Sequence, residues 1–237
     1  NNRYFAYIPK EFQSQGETLQ SRNSLIGNFT EKWAKDLLSP VAKKHGLYAV
    51  NNVVCEEIGL TKKSSADIAF CTKENNYQKA SDIKLIFEVK MSIVSNFELV
   101  NKEIVYIGDY KSHKGNPGLL RSDSMLKAIG KSVNIRVSGF ASRNIPIIIL
   151  GNSPITESYQ NKVDFLKNSG VIQGFWSLNP HPADSDYIRN TEKYGFTTIE
   201  NYLVLEKICA DTLQKDFHFV SSMVPKQKTG RDHFHCI

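Results

Sequence analysis

Three residues define the chemistry this chain could do: Asp67, Glu88 and Lys90. Glu88 and Lys90 lie in Asp82-Ile83-Lys84-Leu85-Ile86-Phe87-Glu88-Val89-Lys90-Met91, which alternates with the period of an extended strand. Ile83, Leu85, Phe87, Val89 and Met91 fall on one face, and Lys84, Ile86, Glu88 and Lys90 on the other. A carboxylate and an ammonium group therefore point the same way, opposite a face ready for burial. Asp67 lies one short strand upstream, and pairing of the two strands would let Asp67, Glu88 and Lys90 meet. Two carboxylates offer the hard oxygen ligands that Mg2+ takes, and the Val89 carbonyl could add a neutral one. A cation held there would acidify a bound water and stabilise a charged transition state. Lys90 would hold that water, help deprotonate it, or offset charge on a phosphate.

Such a set needs elements to position it. A helix is expected over residues 28–44, with Phe29, Trp33, Leu37, Leu38 and Val41 as its apolar stripe. Asn28 or Thr30 would cap it, Pro40 would kink its last turns, and Gly46 would end it. Glu31 has two readings: it faces inward at the edge of the stripe beside Leu38, or it is a first-turn carboxylate complementing the helix dipole. Residues 47–58 read as a strand, 59–63 as a turn, 64–71 as a second strand and 73–81 as a polar loop. The strand at 82–91 follows. Residues 92–118 read as an irregular polar stretch, long enough to be functional or mobile. A helix is expected over 119–137, with Leu120, Met125, Leu126, Ile129 and Val133 as its apolar set. Then come a buried strand at 145–150, a helix at 156–168, a strand at 171–178, a loop at 179–186 and a helix at 197–213. Residues 1–27 read as an arm or short helix, and the chain beyond Met223 as a loose tail. Three early strands in succession predict an antiparallel meander, and the later alternation predicts crossovers. The expected fold class is therefore α/β: a mixed β-sheet flanked by α-helices. With no repeat and no linker, the 237 residues read as one domain.

A strand with Glu and Lys on one face often only keeps a sheet edge soluble. Here the opposite face is wholly apolar, an acid sits on the preceding strand, and a helix bearing Glu31 precedes both. Competing motifs fail. Gly130-Lys131-Ser132 looks like the end of a phosphate-binding loop, but the glycine required earlier is Met125, and the segment reads as mid-helix. His113 with Asn116 is too sparse for a histidine-based nuclease. His233, His235 and Cys236 sit in the tail and lack a fourth metal ligand.

At these residues the sequence resembles the PD-(D/E)xK nuclease superfamily. The family pattern is a helix that often bears a Glu, a strand with an Asp, then a strand with (D/E)-x-K; Glu31, Asp67, Glu88 and Lys90 match it. Ala66 replaces the proline that the pattern has before the Asp, a change of no chemical weight because proline is not a ligand. The resemblance covers roughly residues 28–150 and implies a restriction-endonuclease-like fold. In this size of chain it looks most like a type II restriction endonuclease. The implied roles are Asp67, Glu88 and the Val89 carbonyl as ligands of Mg2+, Lys90 at the water and phosphate, and Glu31 as a further catalytic carboxylate. The remainder of the chain would complete the fold, read DNA and dimerise.

Charge and composition are consistent with that expectation. The chain carries a formal net charge of +6, which favours an anionic partner. Between Lys102 and Arg136 there are seven basic residues against three acidic ones. The loop with Lys111, Lys114 and Asn116 could follow a phosphate backbone or be merely solvated; Asn116, Arg121, Arg136 and Arg143 are types that read purine edges. The expected partner is double-stranded DNA cut at a short specific sequence. Cutting both strands of a palindrome predicts a homodimer. Alternatives are a structure-selective repair or recombination nuclease, and a DNA-binding protein without catalysis. No apolar run approaches the roughly 20 residues of a membrane span. The four scattered cysteines, with no C-x-x-C pair, suggest a reduced, cytoplasmic setting.

Overall fold

A computed structural model describes residues 19–92, 95–101, 103–109, 118–178 and 188–215. Its centre is a six-stranded mixed sheet in the order β1-β2-β3-β6-β7-β8. β1 (Tyr48–Val53), β2 (Ala66–Cys71) and β3 (Ile83–Lys90) form the expected antiparallel meander. β6 (Ile147–Gly151) pairs with β3 in parallel, and β7 (Gly174–Ser177) and β8 (Phe196–Thr198) extend the parallel half. The fold is thus α/β, with a mixed sheet flanked by helices. Among the described residues no helix is long and apolar enough to cross a membrane.

Both faces of the sheet are covered. On one, Ala69, Ile86, Ile147 and Ile149 pack with Met125, Ala128 and Ile135 of α2 (Ser122–Ser138) and Val163 of α3 (Gln160–Asn168). On the other, Ile68, Phe70, Leu85, Phe87 and Ile148 pack with Ala34, Leu38 and Val41 of α1 (Leu19–Lys44) and Leu205 and Cys209 of α4 (Tyr202–Gln214). Phe70, Phe87 and Trp176 make an edge-to-face series on this side, with centroids 5.1 and 6.1 Å apart. β3 is therefore an internal strand with no edge to solubilise.

Several elements differ from expectation. α1 begins at Leu19, so Asn28 and Thr30 are interior residues and not caps; the Thr30 hydroxyl donates to Gly27 O at 2.9 Å. The helix runs through Pro40 to Lys44. It ends as Gly46 predicts: Gly46 N donates to Lys43 O, Leu47 N donates to Ala42 O, and Gly46 has φ +68°. The buried stripe is Ala34, Leu38, Val41 and Ala42, while Phe29 and Trp33 are each 44% exposed. Small residues let the helix approach the sheet, so the aromatic side chains fall outside the contact. β1 stops at Val53, because Asn52 takes φ +52° and residues 56–58 close into a 3-10 turn.

Residues 92–118 are not wholly irregular. β4 (Ser95–Val100) and β5 (Glu103–Asp109) form an antiparallel hairpin, with Asn101 at φ +49° in its turn. Their β-branched and aromatic content carries the strand signal that polarity masks. The expected helix at 197–213 also begins with a strand. Phe196–Thr198 pairs with β7, and Asn201 then caps α4 by accepting from Val204 N at 3.1 Å.

On α2 the buried stripe is Met125, Ala128, Ser132, Ile135 and Arg136, whereas Leu126 and Val133 are exposed. This corrects the expected role of Arg136. Its guanidinium is buried and donates to Val171 O (3.1 Å), Ile145 O (2.8 Å), Gln173 Oε1 (2.9 Å) and Ser142 O. Gln173 Oε1 also accepts from Ile147 N, so Arg136 ties α2 to β6 and the start of β7. Burial lowers its pKa to about 10, and its donors are committed to backbone and not to DNA. Arg136→Met leaves the Val171 and Ile145 carbonyls without this donor in the core, while Ser142 O and Gln173 Oε1 keep the bonds from Ile145 N and Ile147 N. Urea denaturation should show a loss of about 3 kcal/mol.

Candidate active site

The site lies where β2 begins and β3 ends. The antiparallel register pairs Ile68 with Phe87, and one step further sets Asp67 opposite Glu88. Asp67 alternates with the buried Ala66 and Ile68, which puts it on the α2 side of the sheet with Glu88 and Lys90. The Asp67 carboxylate accepts from Val89 N through Oδ2 at 2.7 Å, which fixes its orientation. The chain after β3 is held by Asn152, whose side chain bonds both Ser92 N (3.0 Å) and Ser92 O (2.8 Å). Gly118, at φ +54°, packs against the same strand end: a Cβ there would lie 3.1 Å from Lys90 O and 2.8 Å from Ser153 Oγ.

Two ammonium groups stand among the carboxylates. Lys90 Nζ is 2.6 Å from Glu88 Oε1, 3.0 Å from Val89 O and 3.5 Å from Asp67 Oδ2. Lys131 Nζ, from α2, is 2.5 Å from Glu88 Oε2 and 3.1 Å from Asp67 Oδ1. Each lysine therefore bridges both acids from a different side. Burial opposes the charge of each lysine, but Asp67 and Glu88 outweigh it and raise both pKa values. Burial, and next the Asp67 charge, raise the Glu88 pKa against the pull of both lysines. Glu31 joins from α1. It lies three residues before Ala34 on the buried stripe, far from the first turn, so the inward-facing reading is the one its position fits. Burial, then Asp67, raise its pKa to about 7, with Glu88 adding to the effect and Lys90 and Lys131 opposing it.

The donor set suits a hard divalent cation. Lys90 Nζ marks a point that two carboxylates and a carbonyl already surround, and its ammonium charge stands where a metal's charge would be needed. Asp67, Glu88 and the Val89 carbonyl are oxygen ligands of the kind Mg2+ takes, with room in its shell for waters. No cluster of three or more acidic, histidine or cysteine side chains close enough to hold a metal by themselves occurs among the described residues. A cation here would therefore use two acids, the carbonyl and solvent.

The sequence reading missed Lys131. Its signal was a charged residue within the stripe formed by Ala128, Ser132 and Ile135. Arg136 shares that stripe but serves the core, so the pattern alone does not separate the two. Of the expected DNA contacts, Arg121 is exposed near Asp123 at 3.7 Å, and Arg143 lies over the Phe140 ring, 3.9 Å from its centroid. Lys111, Lys114 and Asn116 lie outside the described residues. Neither protein-family models, curated proteins nor solved structures give a match to this chain.

Glu31 sets a pH dependence of stability. Its pKa is about 7 when folded and near its ordinary 4.5 when unfolded, so the folded state binds more protons between those values. Stability should therefore fall as pH rises from about 4.5 to 7 through this group. Glu31→Gln removes that loss, so the thermal midpoint of the variant should exceed wild type at pH 8 and converge with it near pH 4. Parallel melting curves for the two proteins would contradict this assignment.

Proposed function

We propose that this protein is a Mg2+-dependent endonuclease of the PD-(D/E)xK type that cuts double-stranded DNA at a short specific sequence. The observation that carries the reading is the convergence of Asp67, Glu88, Val89 O and Lys90 at one end of an internal strand pair. Like-charged acids directly opposite each other weaken a sheet, and here Glu88 is buried and Asp67 half-buried. Arranged around a cation they suit phosphodiester hydrolysis.

Mg2+ held by Asp67, Glu88 and the Val89 carbonyl would supply Lewis acidity toward a water and the scissile phosphate. Lys90 Nζ, displaced from that point, would remain within its side chain's reach of both, orienting the water and offsetting phosphate charge. Lys131 would keep the outer oxygens of both acids in place, which preserves their geometry when Lys90 moves. Glu31, with a pKa near neutrality, can accept a proton from a water at working pH. Cleavage of both strands of a palindrome calls for a homodimer, and the buried thiols Cys55, Cys71 and Cys209 suit a reducing cytoplasm.

Plasmid and phage DNA incubated with the protein should give discrete bands with Mg2+ and none with EDTA. Lys90→Ala and Asp67→Asn should each lower the cleavage rate by about 100-fold or more. Lys131→Met should lower it by roughly tenfold, because it acts through the two acids. A metal-dependent smear or nicking would reassign the protein to structure-selective cleavage. Binding without products in any divalent metal would overturn catalysis altogether.

A further inference from the structure

Beside the candidate active site, one strand further along the sheet, lies a concavity of about 520 Å³ lined by Asn52, Lys62, Ser65, Asn75, Asn76 and Tyr77. Two backbone features build it. Residues 76–78 run alongside the end of β1, with Val54 N donating to Asn76 O and Gln78 N donating to Val54 O. Gln78 holds the loop's curve by donating through Nε2 to Lys73 O and to both oxygens of Asn75. Opposite, the tight turn from Thr61 to Ser64 leads directly into β2 and Asp67. The walls are therefore anchored, and polar side chains stand around the apolar surfaces of Val54 and Tyr77, open to solvent.

The register connects this concavity to the acids. Asn51 pairs with Ile68 and Val53 with Ala66, so Asn52 lies level with Asp67, which in turn lies level with Glu88. Asn52 bends β1 there with φ +52°, one residue before its end at Val53. Its side chain makes no hydrogen bond among the described residues, and neither does that of Ser65. Tyr77 is 58% exposed, and Lys62 Nζ lies over its ring, 5.6 Å from the centroid. An exposed aromatic ring, a cation and amide side chains are the groups that take a nucleobase and its phosphate: the ring stacks, the amides bond base edges, the ammonium pairs with phosphate. Adjacent strands are about 4.8 Å apart, and stacked nucleotides rise about 3.4 Å each. Tyr77 flanks β1 on the side away from β2, so a base stacked on it would sit about three nucleotides from a phosphate at Asp67.

We infer that this concavity binds a nucleobase turned out of the duplex a few nucleotides from the scissile phosphate, with Tyr77 as its stacking surface and Asn52, Asn76 and Lys62 as its polar contacts. The inference rests on the nuclease reading and adds the site at which the substrate strand is held. It makes the groove a source of affinity that is independent of the metal.

The test is binding of fluorescein-labelled duplex and single-stranded oligonucleotides in EDTA, read by anisotropy, together with cleavage of plasmid DNA in Mg2+. Tyr77→Ala and Asn52→Ala should each weaken binding by on the order of tenfold. Tyr77→Phe, which keeps the ring, should bind within about twofold of wild type. Circular dichroism and thermal melting confirm that each variant is folded. If folded Tyr77→Ala binds and cuts like wild type, the groove inference fails and the nuclease reading stands. If wild type neither binds nor cuts DNA, the nuclease reading itself fails and the groove inference goes with it.

Discussion

Two carboxylates, Asp67 and Glu88, face one another across adjacent strands with little access to water, and the local structure answers that repulsion. A like-charged pair about 4 Å apart costs about 4 kcal/mol at an effective dielectric near 20. An exposed salt bridge returns at most about 1 kcal/mol. The pair therefore depends on cations held within its own shielded environment. Lys90 and Lys131 supply them from two directions, one along the strand and one from the helix above. A third carboxylate, Glu31, is accommodated by the rise of its pKa to about 7. This balance is conditional: a divalent cation can replace an ammonium ion without changing the sign of the field.

The rest of the fold fixes where those charges stand. α2 connects β3 to β6 and packs on the face that carries Asp67, Glu88 and Lys90. Its position relative to β6 and β7 is set by Arg136, which clamps three backbone carbonyls and the Gln173 amide oxygen. Arg136 lies five positions after Lys131 on the same helix, so the clamp that anchors the helix also sets the height of the lysine over the acids. On the opposite face, Ala34 and Ala42 allow α1 to lie close to the sheet, and this proximity half-buries Glu31. Helices from both layers thus converge on one end of one strand pair.

The two halves of the sheet differ in where they carry charge. The parallel half, β6 to β8, is buried and carries none of the charged cluster. At one end of the antiparallel half stand the polar turn at residues 61–65 and residues 76–78 beside Val54, and the row from Asn52 through Asp67 to Glu88 runs along that end. Burial is greatest at Glu88 and falls toward Asn52, so one end of the row suits charge chemistry and the other suits recognition of a polar ligand.

By itself the sequence determined the strand pair, because a period of two is local and strict. The alternation of residues 82–91 fixed which side chains share a face, and the turn and strand before it placed Asp67 within reach. The end of α1 at Gly46 was equally legible, since only a left-handed residue closes that helix so tightly. Tertiary structure decided the rest. Whether Glu31 faces inward depends on the length of α1 and on Ala34 packing against the sheet, not on its own neighbours in sequence. The strands β4 and β5 carry their signal in Phe97, Leu99, Ile104, Val105 and Tyr106, masked by the polar residues around them, while β8 is three residues and too short to show a period. Lys131 and Arg136 carry the same local signal, a cation on the buried stripe of α2. One meets carboxylates and the other meets carbonyls only because the crossover places Lys131 at β2 and β3 and Arg136 at the segments that lead into β6 and β7, and nothing in the helix's own sequence specifies what lies beneath it.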